Sequence, residues 1–225
     1  MDLPIFAIIP AAGSASRMGF DKLLTPLAGK SVLNRTLQVF ASLSFQKIIL
    51  AVNPDRLEDF KAAVEFEAKI IPGGPCRAKS VYNAVRSLDD IEEAILVIHD
   101  CARPFVSVDT IKATIEKALE TGAAIAATPL TSTLKEAKEG SLISRTIPRE
   151  KLFLASTPQT FLLSKLRSSY AIIESEEDWS ACTDEAMILE KAGFPVAICQ
   201  DSEKNFKLTN RRDWDFASYL LNKNA

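Results

Sequence analysis

Pro10-Ala11-Ala12-Gly13-Ser14-Ala15-Ser16-Arg17-Met18-Gly19-Phe20-Asp21-Lys22 follows directly on an apolar run, Ile5 to Ile9. The run reads as a buried strand. The stretch behind it changes character at once. Small residues let the backbone bend tightly and come close to a ligand, and exposed N–H groups in such a loop form a nest for anions. Two fixed cations, Arg17 and Lys22, lie in the same segment. Strand end, small-residue loop and paired cations together point to a triphosphate site. An ordinary strand-to-helix turn with two solvated cations is the plainer alternative.

Two familiar phosphate motifs fail here. A dinucleotide fingerprint needs G-x-G-x-x-G after the strand, but Ala15 holds the place of the second Gly and Arg17 brings a full charge. A Walker A loop needs G-x-x-x-x-G-K-[ST]. Gly29-Lys30-Ser31 supplies its end, but Leu24 stands where the first Gly belongs and Pro26 stiffens the middle.

Outward from this loop, strand-like runs alternate with helical patterns. Strands are expected at Ile5–Ile9, Lys47–Val52, Lys69–Ile71, Ala94–His99, Ala123–Thr128 and Val196–Cys199. Helices are expected at Val32–Leu43, behind the capping residue Ser31, and at Leu57–Val64, Ser80–Leu88, Val108–Glu120, Leu163–Ile173, Asp184–Lys191 and Asp213–Leu221. The alternation predicts an α/β fold, a Rossmann-like, mostly parallel sheet flanked by helices. Ligands in such sheets bind beyond the carboxyl ends of the strands, so the loops at Gly13, Gly73 and Asp100 can converge. The stretch Thr131–Gln159 breaks the pattern. It is polar, contains Gly140, and holds two short strand candidates, Ser141–Ile147 and Phe153–Ser156. It reads as a β-arm leaving the sheet, and an arm with no core of its own must pack on something; a partner subunit is a reasonable candidate.

The 225 residues form no internal repeat and no linker, which fits a single domain spanning 1–225 with an arm at about 131–159. A hydrophobic fraction of 47% is enough for a full core, and a net charge of -2 argues against a nucleic-acid binder. No apolar run approaches membrane-spanning length, and the N-terminus lacks the features of a secretion signal. Cys76, Cys101, Cys182 and Cys199 are scattered, with no C-x-x-C pair. They read as reduced thiols in a cytoplasmic protein.

Two further stretches carry chemistry. In Gly73-Gly74-Pro75-Cys76-Arg77-Ala78-Lys79-Ser80, two glycines let the backbone approach a flat base, and Ser80 at the next helix start can hydrogen-bond it. A glycine turn before a capped helix is the plain alternative. In His99-Asp100-Cys101-Ala102-Arg103-Pro104, Asp100 sits just past a buried strand, where a carboxylate would hold Mg²⁺ and touch a ribose. Arg103 pairs with Asp100 or faces phosphate; a surface salt bridge at a strand end would explain both. His99, the single histidine, reads as structural.

The first stretch resembles P-A-A-G-x-G-x-R-M followed by a Lys, the signature loop of the cytidylyltransferases of isoprenoid synthesis, with Ala15 in place of a Gly. The other two are similar to that family's G-G-x-x-R-x-x-S and H-D-A-A-R-P, with Cys101 in place of Ala. Later matches follow in order: Thr133 in a segment like P-V-x-D-T-x-K, where Ser132 replaces the Asp; Arg149 in one like T-x-D-R, where Pro148 replaces the Asp; Thr157 in T-P-Q; Thr183 in T-D-E-A, where a capping Thr is an equal reading; and Lys207 in N-x-K-x-T.

The resemblance implies transfer of CMP from CTP to 2-C-methyl-D-erythritol 4-phosphate, with release of pyrophosphate and with Mg²⁺ as cofactor. It implies that Arg17, Lys22, Arg149 and Lys207 serve catalysis. Pro10, Ala11, Ala12, Gly13, Gly73, Gly74, Ser80, Asp100 and Ala102 would hold the nucleotide, with Asp100 as metal ligand. Arg103, Thr133, Arg149, Thr157, Thr183 and Lys207 would hold the polyol phosphate. The arm would complete the site of the other subunit in a homodimer. A cytidylyltransferase for a pentitol phosphate such as ribitol 5-phosphate is the nearest alternative. A nucleotidyltransferase for a sugar 1-phosphate and a catalytically silent nucleotide-binding protein are the more distant ones.

Overall fold

The computed structural model describes residues 3–13, 18–173 and 179–223. Its strands are β1 (Ile5–Ala11), β2 (Pro26–Leu27), β3 (Lys30–Ser31), β4 (Lys47–Val52), β5 (Lys69–Pro72), β6 (Ile95–Ile98), β7 (Ala123–Pro129), β8 (Leu134–Ala137), β9 (Ile143–Ile147), β10 (Phe153–Leu162) and β11 (Ala197–Gln200). Its α-helices are α1 (Val32–Ala41), α2 (Leu57–Ala63), α3 (Arg77–Arg86), α4 (Val108–Thr121), α5 (Leu163–Ile173), α6 (Glu185–Lys191) and α7 (Arg211–Lys223).

Seven strands form one sheet in the order β11-β7-β10-β6-β1-β4-β5. All its pairings are parallel except the two made by β10. Successive side chains of a strand point to opposite faces, and β1 divides accordingly. Phe6 and Ile8 pack with Val81 of α3, Leu166 of α5 and Ile188 of α6. Ala7 and Ile9 pack with Leu37 of α1, Phe60 of α2, Ile111 of α4 and Trp214 of α7. Both faces are covered, which is why the parallel strands read as unbroken apolar runs. The helix ends follow the expected chemistry: the Ser31 side chain caps α1 by accepting from the Asn34 N–H, and Gly122 ends α4 in the left-handed region.

The chain departs from β1 to β4 and β5 on one side and returns to β6 on the other. The reversal opens a crevice beyond the ends of β1 and β6, which is where ligands bind in such sheets.

Two expectations are corrected. The break in the βα pattern is real, but it divides at Phe153. β8 and β9 pair only with each other and form an exposed hairpin, whereas β10 runs antiparallel through the centre of the main sheet between β6 and β7. The residues from 153 to 159 therefore belong to the sheet and not to the arm. Pro158 masked the strand, since proline cannot donate to a ladder. The register shift between Ala155 and Gln159 takes Ser156, Thr157 and Pro158 out of the pairing. Helix α3 also begins at Arg77, three residues before Ser80, with Cys76 at its cap position. Among the described residues no helix is long and apolar enough to cross a membrane, and all four cysteines are free.

Candidate active site

A cavity of about 560 Å³ lies at the predicted crevice, a size usual for small-molecule sites. Pro10 to Gly13 from the end of β1, Gly73 to Arg77 and Ser80 from the turn into α3, and Asp100 to Ala102 from the end of β6 line it. Lys22 and Lys207 complete the charged part of the wall. The three expected loops therefore do converge. Arg17, together with Ser14, Ala15 and Ser16, lies outside the described residues.

The glycine turn is shaped by contacts that leave no room for a side chain. A Cβ on Gly73 would meet Ala12 Cβ at 2.7 Å and Val52 O at 3.0 Å. Ser80 is buried one turn inside α3. Its hydroxyl accepts from the Gly74 N–H at 2.9 Å and donates to Cys76 O at 2.9 Å. Its contacts hold the turn in shape instead of capping the helix.

Asp100 is buried, not a surface group as a simple salt bridge would have it. Oδ1 faces Arg77 Nε at 2.9 Å; Oδ2 faces Lys207 Nζ at 2.9 Å and Arg103 Nε at 3.5 Å. Burial alone would push its carboxyl up, but Arg77 and Lys207 outweigh burial and hold it far below the usual carboxylate range. Asp100 is thus an anion at any working pH.

Arg77 is the site residue that sequence reasoning quoted but left without a role. Its Nη1 reaches both oxygens of Glu185, at 2.9 and 2.8 Å. Burial works against the Arg77 charge, but the two carboxylates keep it fully charged. Glu185 is fully buried, and burial pushes its carboxyl up against the pull of Arg77. Gln159 sets the start of α6: its Oε1 accepts from the N–H groups of Glu185 and Ala186, each at 3.2 Å, and its Nε2 donates to Asp184 at 2.9 Å. The T-P-Q and T-D-E-A segments therefore meet in space and end on Arg77. Asp184, not Thr183, caps α6; Thr183 is exposed and donates weakly to Met187 Sδ.

Thr157 is buried behind Asp100. Burial lowers the His99 imidazole to about 4, so it is neutral at pH 7. The Arg103 carbonyl 3.1 Å from His99 Nε2 can only accept, which places the ring proton there. Nδ1 then accepts from the Thr157 hydroxyl at 3.0 Å, and that hydroxyl oxygen accepts from the Asp100 N–H at 3.0 Å. Thr157 is thereby placed to orient Asp100, with its hydroxyl engaged inside the fold. Arg103 pairs with Asp100 and donates to the backbone carbonyl of Asn205 at 2.8 Å. Thr133 and Arg149 stay on the exposed arm segment, where Arg149 donates to Thr131 O, and neither lines the cavity.

No cluster of three or more His, Cys, Asp or Glu residues suited to a metal occurs among the described residues. Mg²⁺ at phosphate sites commonly takes one or two carboxylates and completes its shell from substrate phosphates and water. A carboxylate has about four lone-pair sites. Ionised Asp100 at the cavity wall therefore fits a metal that arrives with a nucleotide, though not one held by the protein alone.

The family model for 2-C-methyl-D-erythritol 4-phosphate cytidylyltransferase matches residues 5–223. The chain belongs to this family. It is 38% identical over 223 residues to the enzyme of that name from Bacillus velezensis, covering 95% of this chain and 94% of that one. It is 39% identical over 222 residues to the Bacillus licheniformis enzyme, with the same coverage of 95% and 94%. The crystal structure of the Francisella tularensis member superposes with a TM-score of 0.83 at 29% identity, covering 96% of this chain and 99% of that one. Family membership spans the main sheet, the β8–β9 hairpin and α7 alike.

Proposed function

We propose that this chain transfers CMP from CTP to 2-C-methyl-D-erythritol 4-phosphate and releases pyrophosphate. The observation that carries the reading is the cavity of a family member, lined by the cations Lys22, Arg77 and Lys207, with Arg77 and Lys207 paired to the carboxylate of Asp100. A phosphate oxygen of the acceptor attacks the α-phosphorus of CTP in line with the leaving group. The new O–P bond forms as the α–β bridge breaks, and the electron pair departs on pyrophosphate. The attacking oxygen is already ionised, so catalysis is positioning and charge neutralisation.

In this reading Pro10 to Gly13, Gly73, Gly74 and Ala102 present backbone to the nucleotide, and Ser80 holds that turn in shape. Lys22 and Arg17 meet the triphosphate. Lys207 holds the acceptor phosphate, and Arg77 keeps Asp100 oriented. Asp100 would hold Mg²⁺, which supplies charge neutralisation on the phosphate oxygens. The arm residues Thr133 and Arg149 would reach the acceptor site of a second copy in a homodimer. The exposed arm residues Leu142 and Ile143, 70% and 64% accessible, support a covered arm. A cytoplasmic setting belongs to the same reading.

The test is pyrophosphate release with CTP and a panel of acceptors. Turnover is expected with 2-C-methyl-D-erythritol 4-phosphate and little with ribitol 5-phosphate; a preference for ribitol 5-phosphate would reverse the substrate assignment. The metal role has its own check. Asp100→Asn should raise the Mg²⁺ concentration for half-maximal rate by roughly tenfold, the equivalent of about 1.4 kcal/mol. The substitution also leaves Arg77 and Lys207 short of a buried partner, so a lower melting temperature is expected alongside. An unchanged Mg²⁺ titration in the folded variant would remove Asp100 from the metal shell.

A further inference from the structure

Lys207 lies in the irregular segment between β11 and α7, where no ladder or helix fixes it. Two residues before it, Asn205 is buried. Asn205 Nδ2 donates to Asp201 Oδ2 at 2.8 Å and to Thr157 O at 2.7 Å, while its backbone carbonyl accepts from Arg103. Asp201 is buried as well, and its N–H is fixed to Ala127 O at the end of β7. Its carboxylate gathers donors from separate parts of the fold: Ser156 Oγ from the shifted part of β10, the Ser202 N–H at 2.8 Å, and Thr110 Oγ1 of α4 at 3.4 Å. Beyond Lys207, the Leu208 N–H donates to Ala102 O at 2.9 Å. The segment is therefore clamped on both sides of the lysine, and Asp201 is the hub of the upstream clamp.

We infer that Asp201, acting through Asn205, is a positioning residue that holds Lys207 against Asp100. The inference rests on the proposed reaction, because Lys207 matters there as the acceptor-phosphate cation. A carboxylate suits the hub because it only accepts, with room for all its donors. Asparagine there would turn an NH₂ toward groups that are themselves donors, and an unmatched buried donor disrupts its surroundings.

The experiment compares Asp201→Asn with the parent protein. Acetic anhydride labelling of the folded protein, mapped by mass spectrometry, reads whether Lys207 is held. Lys207 is expected to react several-fold faster in the variant, with Lys61 and Lys117 unchanged. Pyrophosphate release should lose on the order of 10²-fold in kcat/KM for the polyol phosphate, the scale for displacing a group by about 1 Å. The KM for CTP should stay within about twofold, as the Asp201 carboxylate bonds Asn205, Ser156, Ser202 and Thr110 and none of the residues placed at the nucleotide. In a Lys207→Ala background, Asp201→Asn should add little, because both act on one contact. Unchanged Lys207 labelling, or losses that simply add, would overturn the inference. If Asp201→Asn does not fold, Ser156→Ala removes one donor, keeps the carboxylate and gives the same readouts with smaller effects. Absence of turnover in the parent protein would instead overturn the reaction, and labelling would still decide how Lys207 is held.

Discussion

Lys22→Ala should lower kcat by about 10²-fold or more, the scale for removing one preorganised electrostatic contact from a transition state. Lys22 lines the cavity and its Nζ donates at 2.8 Å to the carbonyl of Leu208, the residue that follows Lys207. A charge held to a rigid carbonyl is already in place when negative charge builds on the departing pyrophosphate. It therefore acts more strongly in the transition state than in the bound complex, which is the condition for an effect on kcat. Lys22→Arg is a poor rescue, because a planar fork does not fill the place of a compact ammonium. Steady-state kinetics with CTP varied decide the matter. A rise in KM at constant kcat would show that Lys22 binds ground state and transition state alike.

The same cavity explains why its anion is stable among so many cations. Asp100, Arg77 and Glu185 form a buried chain of alternating charge, and Lys207 closes it at the open end. Removing one member of such a chain leaves an uncompensated charge, typically at a cost of about 3–5 kcal/mol. Glu185 does not line the cavity, yet together with Asp100 it keeps Arg77 charged at the cavity wall. Orientation of Asp100 thus depends on α6 at one end and, through Thr157, on β10 at the other.

These dependencies mark what was legible in the sequence. The strands and helices of the main sheet were, because strands covered on both faces read as apolar runs and helices carry their caps. Site residues that follow strand ends were legible for the same reason: Gly13, Gly73 and Asp100 need only short loops to meet. β2 and β3 are two residues each, too short for any period to show. β10 was cut short because its middle is polar and contains Pro158, and that same departure from the ladder moved Thr157 from the expected arm to the back of Asp100. Arg77 and Glu185 are separated by 108 positions. No spacing rule pairs them, and each alone reads as an ordinary helix charge.

If the proposed homodimer shares its sites through the arm, Lys22→Ala and Arg149→Ala, each expected to be nearly inactive alone, should regain activity when refolded together. Lys22 and Lys207 stand in the cavity of the main sheet, whereas Arg149 lies on the exposed arm segment and does not line that cavity in its own subunit. A two-fold axis is the simplest way to bring such a residue to a site, since each arm then serves the other copy and both sites are equivalent. In a mixed dimer one site collects both defects and the other collects neither. Random pairing of equal amounts makes half of the dimers mixed, so about a quarter of the unsubstituted protein's activity should return. If Arg149 serves its own subunit, every site in every dimer keeps one defect, and no mixture exceeds its parents. Verified mixed dimers without recovered activity would reject the shared site and leave the cavity chemistry of Lys22, Asp100 and Lys207 to stand within a single chain.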